Sequence, residues 1–293
     1  MGVIIIQIRR PLLIILMFVV AISFIITNNT KNDEELNDKI ITIQGVVKGK
    51  IEKKRYNQYK VGVFLINDYT KNKNLKIGQK VNITGKFKSL DKMKYDDFDY
   101  GRYIKSTGYK GIVYINNYKI IDKNKLYSLI GEIKFYISKT YRYLYKKNSD
   151  FINSILLAEV ENLTEEQKEI FTRTGTSHVI SISGLHTGIL CVIISFLLRG
   201  INKLYKLLIL SIFITLYCIM VGASPSIIRS IAFVMIFYLS IFIDRKKDGI
   251  SALSLIGIIL IMNNPYVIYN VSFQLSFLAT LSILIFYNKI NSI

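Results

Sequence analysis

The sequence predicts an α-helical integral membrane protein that carries one small β-barrel domain on the outer side of the membrane. Three observations predict it. The 293 residues are 51% apolar and yet 20% charged, which points to two regions of opposite character rather than one average globule. The apolar residues collect in one N-terminal run and in a series of runs after Ser177, with a polar stretch between. That stretch, Asn28 to Thr176, holds 29 Lys or Arg against 18 Asp or Glu, so +11 (29 minus 18) of the total +19 sits there.

Residues 1–27 read as an N-terminal membrane anchor. Pro11 to Thr27 is an apolar run behind Arg9 and Arg10, near the lower length limit for a span. It ends in Ile25, Ile26, Thr27, Asn28 and Asn29 with no small-x-small cleavage site, so an uncleaved anchor is expected rather than a signal peptide. The two arginines hold its N-terminus in the cytoplasm.

Residues 28–125 read as an extracytoplasmic domain. Ile41 to Val47, Lys60 to Ile66, Lys80 to Phe87 and Gly111 to Ile115 are short and β-rich, with turn residues between them. Several short strands without intervening helices suit a small closed or partly open barrel, and an OB-like barrel fits best.

Residues 126–176 read as connecting helices. Leu126, Leu129, Ile130, Ile133, Ile137, Tyr141 and Leu144 recur at helical spacing from Leu126 to Lys147. Lys134, Lys139 and Arg142 occupy the other face. Such a helix lies on a membrane surface or packs on its own domain. Thr164 and Gln167 have the spacing of a capping box that opens the next helix.

Residues 177–293 read as a polytopic membrane domain with spans near 177–198, 206–223, 226–243, 250–262 and 271–287, about five in all, the fourth short. Arg199, Lys203 and Lys206 share one loop, and Arg245, Lys246 and Lys247 another, whereas 223–225 and 263–270 carry no charge. With the N-terminus inside, both basic loops fall in the cytoplasm of a plasma-membrane protein, and residues 28–176 fall outside.

The charge implies an anionic partner, nucleic acid or membrane lipid; a merely solvated basic surface is the alternative. Cys191 and Cys218 lie inside apolar runs and read as packing residues. Two histidines exclude a multi-histidine metal cluster, and no cofactor or metal is expected. No nucleophile, base and acid form a set, so no enzymatic activity is expected.

Three stretches carry unusual polarity for a membrane domain. His178, Ser183 and His186, with Gly184 and Gly188, lie in the first apolar run of that domain. Their polar groups face protein, water or substrate, and the two glycines have the spacing that lets another helix approach. The histidines are about 80° apart on an ideal helix and too far apart to share a metal. Arg229 follows Gly222 and Ser226, with no Asp or Glu between Ser177 and Ile243. A phosphate suits its guanidinium, and snorkelling toward water is the alternative. Gln274 places an amide in the last run, as helix glue or as a lining group.

The stretches SHVISISGLHTGIL (177–190), GASPSIIRSIAF (222–233) and NPYVIYNVSFQLSF (264–277) resemble, in order and spacing, the competence membrane domain of the ComEC family. Phe98, Asp99, Tyr100, Tyr103, Gly108 and Tyr109 resemble the end of that family's OB-like outer domain. The resemblance implies inward passage of single-stranded DNA across the plasma membrane in natural transformation. It implies that His178, Ser183, Gly184, His186, Gly188, Gly222, Ser226, Arg229 and Gln274 line or shape a pore and are not catalytic. It also implies partners: other competence-machinery proteins, a separate nuclease or a second channel half, and a homo-oligomer. Longer members continue into a metallo-β-lactamase-like domain with a histidine-rich motif, and no such motif occurs here. A truncated or non-transporting scaffold that keeps the family fold is therefore the alternative. In the outer domain, Lys54, Arg55, Tyr56, Tyr59 and Lys60 interleave basic charge with tyrosine, which suits phosphate attraction and base stacking.

Overall fold

The computed structural model describes residues 10–29, 34–53, 55–71, 74–95, 98–176, 184–222, 227–228, 231–232, 235–236 and 248–290. Helix α1 (Pro11–Asn29) leads into strands β1 (Ile40–Glu52), β2 (Asn57–Val61), β3 (Phe64–Asp68) and β4 (Gln79–Lys88). The two-residue strands β5 (Lys94–Tyr95) and β6 (Phe98–Asp99) precede α2 (Tyr100–Ser106) and β7 (Gly111–Lys123). Among the described residues these longer helices follow: α3 (Lys125–Tyr145), α4 (Ser149–Leu157), α5 (Glu165–Arg173), α6 (Gly184–Leu197), α7 (Lys203–Val221) and α8 (Gly249–Asn263). A 3-10 turn (Pro265–Tyr269) then leads to α9 (Val271–Ile290).

Strands β1, β2, β3, β7 and β4 close into a five-stranded barrel in that order. The closed barrel is consistent with the expected OB-like domain and has more strand than the sequence indicated. The run Lys60 to Ile66, expected as one strand, is a hairpin. Gly62 takes a positive φ of 58° at its tip, a conformation that costs glycine little, and Val61 pairs with Phe64 across the turn. Alternation sets the two faces of each strand. In β4, Val81, Ile83 and Phe87 point inward and are buried, whereas Lys80 and Lys86 point out and are exposed. Gly85 allows a close approach: a Cβ there would collide with the Tyr114 carbonyl of β7. Val47, Tyr59, Ile66, Leu75, Val113 and Ile115 complete the interior.

A second core lies outside the barrel wall. Leu65 of β3 and Ile112 of β7 pack with Leu90, Met93 and Ile104, so α2 covers that wall. Asp99 caps α2 by accepting from the Arg102 amide at 2.8 Å.

Helix α3 begins one residue earlier than its periodicity indicates and ends at Tyr145. The capping box at Thr164 and Gln167 forms as its spacing predicts, with both reciprocal bonds made.

Two helices, α1 and α7, are long and apolar enough to cross a bilayer among the described residues, while α8 and the apolar parts of α6 and α9 are shorter. Helices α1 and α8 run parallel. Arg10, before α1, lies 3.5 Å from Asp248, the cap of α8. At the other end, the Ser23 hydroxyl donates to the Pro265 carbonyl at 2.7 Å. Thr27 meets the Tyr269 hydroxyl at 2.9 Å. Leu16, Ile256, Ile261 and Phe273 form the core of this group. Cys191, Leu210 and Ile214 join α6 to α7. Ile228, Ala232 and Ile236 pack on the first group and Ile231 on the second.

Candidate functional site

The barrel meets the apolar helices of the chain at a well-defined contact. It is built from α2, the turn Pro265–Tyr269 and the end of α1. Asn264 caps the turn through its Oδ1, which accepts from the Tyr266 amide at 3.1 Å. That leaves its amide nitrogen to donate to the Lys105 carbonyl at 2.8 Å and the Ser106 carbonyl at 3.3 Å. These are carbonyls at the C-terminal end of α2, where a helix lacks internal donors. Asn270 repeats the arrangement: its Oδ1 caps α9 by accepting from Phe273, and its nitrogen donates to the Ser106 hydroxyl at 3.2 Å. Two cations close the contact, the Arg102 guanidinium 4.5 Å from the Tyr269 ring centre and the Lys105 amine 5.1 Å from that of Tyr266. Lys105 also pairs with Asp91. The barrel is therefore seated on the loop that joins α8 to α9.

Of the membrane-domain residues singled out by sequence, His178, Ser183, Ser226 and Arg229 lie outside the described residues. Gly184 opens α6. His186 is half-buried there, and Thr187 beside it is buried. Among the described residues nothing lies within 4 Å of a Cβ built on Gly188. Gly222 ends α7 with a φ of 90°, its amide donating to the Cys218 carbonyl. Gln274 donates from Nε2 to the Ile268 carbonyl at 2.6 Å, which ties α9 to the turn before it.

The barrel residues separate. Lys54 lies outside the described residues. Arg55 is exposed and Tyr56 half-exposed. Tyr59 requires a correction: it is 0% exposed and forms part of the barrel interior, so it cannot stack on a base. The signal was available, since Val61 and Tyr59 share the inward parity of β2. Burial raises the Tyr59 hydroxyl above its ordinary value. Lys60 points outward but is partly covered, and burial lowers its amine, against the opposing pull of Glu161. Lys134 of α3 is lowered for the same reason, with Glu159 and Glu161 opposing and Lys60 adding to the effect. Sequence reading missed Tyr69, which lies against Tyr56 with ring centres 4.8 Å apart, and Tyr114, 5.8 Å from Tyr69.

Residues 155–292 match the family model described as "Competence protein". The chain is 26% identical over 165 residues to ComE operon protein 3 of Bacillus subtilis (strain 168), covering 56% of this chain and 21% of that protein. It is 30% identical over 125 residues to an uncharacterized protein of Aquifex aeolicus (strain VF5), covering 42% of this chain and 30% of that one. The chain thus spans a fifth to a third of the curated relatives it matches. Among solved structures, an aspartyl tRNA synthetase from Entamoeba histolytica aligns over 59% of this chain and 38% of its own at 12% identity, with a TM-score of 0.23 that carries no fold. The similarity of this chain to competence proteins thus rests on residues 155–292 and on the alignment with ComE operon protein 3.

Proposed function

We propose that this chain is a membrane component of the DNA-uptake channel that passes single-stranded DNA across the plasma membrane in natural transformation. The observation that carries the reading is the competence-family match over residues 155–292. The basic outer domain would gather DNA by phosphate attraction, and the bundle would supply the path. The seat on Asn264 and Asn270 supports a multi-pass arrangement with the barrel outside. Arg10 and Asp248 lie at one end of the parallel pair α1 and α8, and the barrel contact lies at the other. A cytoplasmic Arg10 then puts the barrel on the opposite side, as the basic loops require. In this reading Arg229 meets DNA phosphates, and no catalytic step is assigned to the chain.

One observation favours the second reading, a scaffold that kept the fold without transport: Gln274 spends its amide on the Ile268 carbonyl, as internal glue. Transformation frequency separates the two. A deletion strain complemented with wild type should recover, and one complemented with Arg229→Ala should not. Unchanged transformation in the deletion strain would remove the transport reading and leave the scaffold.

A further inference from the structure

Three tyrosines from different parts of the chain meet on the outer wall of the barrel. Tyr56 ends the β1–β2 connection, Tyr69 follows β3, and Tyr114 sits on β7. The hairpin register creates the first pair. Asn57 pairs with Asp68 and Gln58 with Asn67, so Tyr56 and Tyr69 face one another just beyond the last rung. Their rings are tilted by 33° at 4.8 Å between centres. The parallel pairing of Asn67 with Tyr114 brings in the third ring, 5.8 Å from Tyr69. All three share the outward parity of Gln58 and Asn67, whose side chains bond to each other at 2.9 Å beneath them.

Basic side chains flank the rings. The Lys53 amine lies 5.1 Å from the Tyr56 ring centre and donates to its hydroxyl at 3.1 Å. Arg55 and Lys71 are exposed on the flanking loops. A ladder that served only to pack the barrel would be covered, yet Tyr69 is 55% exposed. The last rung leads toward the bundle, because Tyr114 packs on the core that α2 shares with β3 and β7, and α2 holds the loop at Asn264.

We infer that Tyr56, Tyr69 and Tyr114 form a base-stacking platform for single-stranded nucleic acid, with Lys53 and Arg55 holding its phosphates; this rests on the DNA-uptake reading and names its outer binding site. Rings presented in sequence beside basic side chains bind single strands without base preference, and the strand-2 and strand-3 wall is where OB barrels take oligonucleotides. The platform therefore discriminates unpaired from paired DNA, since a duplex keeps its base faces covered.

The test uses the full chain in lipid nanodiscs and a labelled oligodeoxythymidylate of about 16 nucleotides, the upper site size for one such barrel. The chain has no tryptophan, so Tyr69→Trp places a single reporter in the ladder. Its emission should be quenched by the single strand and not by a duplex of equal length. Tyr69→Ala should weaken binding roughly 5- to 100-fold with the salt slope unchanged, and Arg55→Ala should reduce the salt slope by about one. Wild-type affinity in Tyr69→Ala, or an unmoved tryptophan on binding, would overturn the platform and leave DNA gathering by charge intact. Equal quenching by the duplex would overturn base stacking as its mode. No binding of the wild type at low salt would overturn the gathering step itself, and the platform with it.

Discussion

The side-chain amide of Asn264 donates to the backbone carbonyl of Lys105 at 2.8 Å, joining residues 159 positions apart. One asparagine thus caps a turn between two apolar helices and fastens the barrel to that turn. Asn264→Ala removes both functions. Loss of its bonds to Lys105 and Ser106 should cost about 1–3 kcal/mol, and α2 should become accessible to protease while the barrel stays folded. Limited proteolysis of the full chain in detergent checks this; unaltered protection of residues 100–106 would show that the cation–ring contacts suffice.

Tyr59→Ala empties space inside the barrel and should cost about 3–5 kcal/mol, as for other large aromatic truncations. Tyr59→Phe keeps the volume and should bind DNA as the wild type does. Thermal unfolding and strand binding, measured on both variants, separate the core role from a surface role; weakened binding by Tyr59→Phe with unchanged stability would contradict the burial.

Gly257 faces α1 and α9. A Cβ there would lie 2.9 Å from Leu16 Cδ1 and 3.0 Å from the Phe277 ring. Gly257→Leu should therefore spread the three helices, at a cost of about 1–3 kcal/mol for overpacking, and lower the yield of membrane-inserted protein. Gly257→Ala should be milder, because side-chain ends can shift. Equal yields for both substitutions would mean that α1 does not pack there in the membrane.

Stability should depend on alkaline pH with a definite sign. Burial holds the Lys60 and Lys134 amines below 10.5 when folded. Between the folded values and 10.5 the unfolded chain binds more protons, so stability rises with pH in that window. Burial raises the Tyr59 hydroxyl above 10.0, so above that value the unfolded chain loses its proton first and stability falls. Lys60→Met should remove part of the rise. Unfolding temperatures of the full chain between about pH 7 and pH 11 measure it, and an identical slope in the variant would show that Lys60 is hydrated.

Much of this was legible because local forces write it locally. The inward and outward alternation of β4, the Thr164–Gln167 box and the apolar runs of α1 and α7 each follow from period or spacing within one segment. Tyr59 shows the limit of reading composition without parity: beside Lys54, Arg55 and Lys60 it looked like part of a basic aromatic surface, yet it shares the inward face with Val61. The charge of residues 28–176 and the unusual polarity of the stretch ending at Gly188 are also visible along the chain.

Which segments are apolar, which alternate and where the basic charge collects each depend on neighbours within a few residues, so all three are read along the chain. Only the tertiary structure decided that Tyr56, Tyr69 and Tyr114 meet and that Asn264 and Asn270 seat the barrel through α2. Those contacts depend on the register with which β3 pairs with β7 and on how the barrel closes. Register is fixed by many long-range pairings acting together, and no single stretch of sequence encodes it.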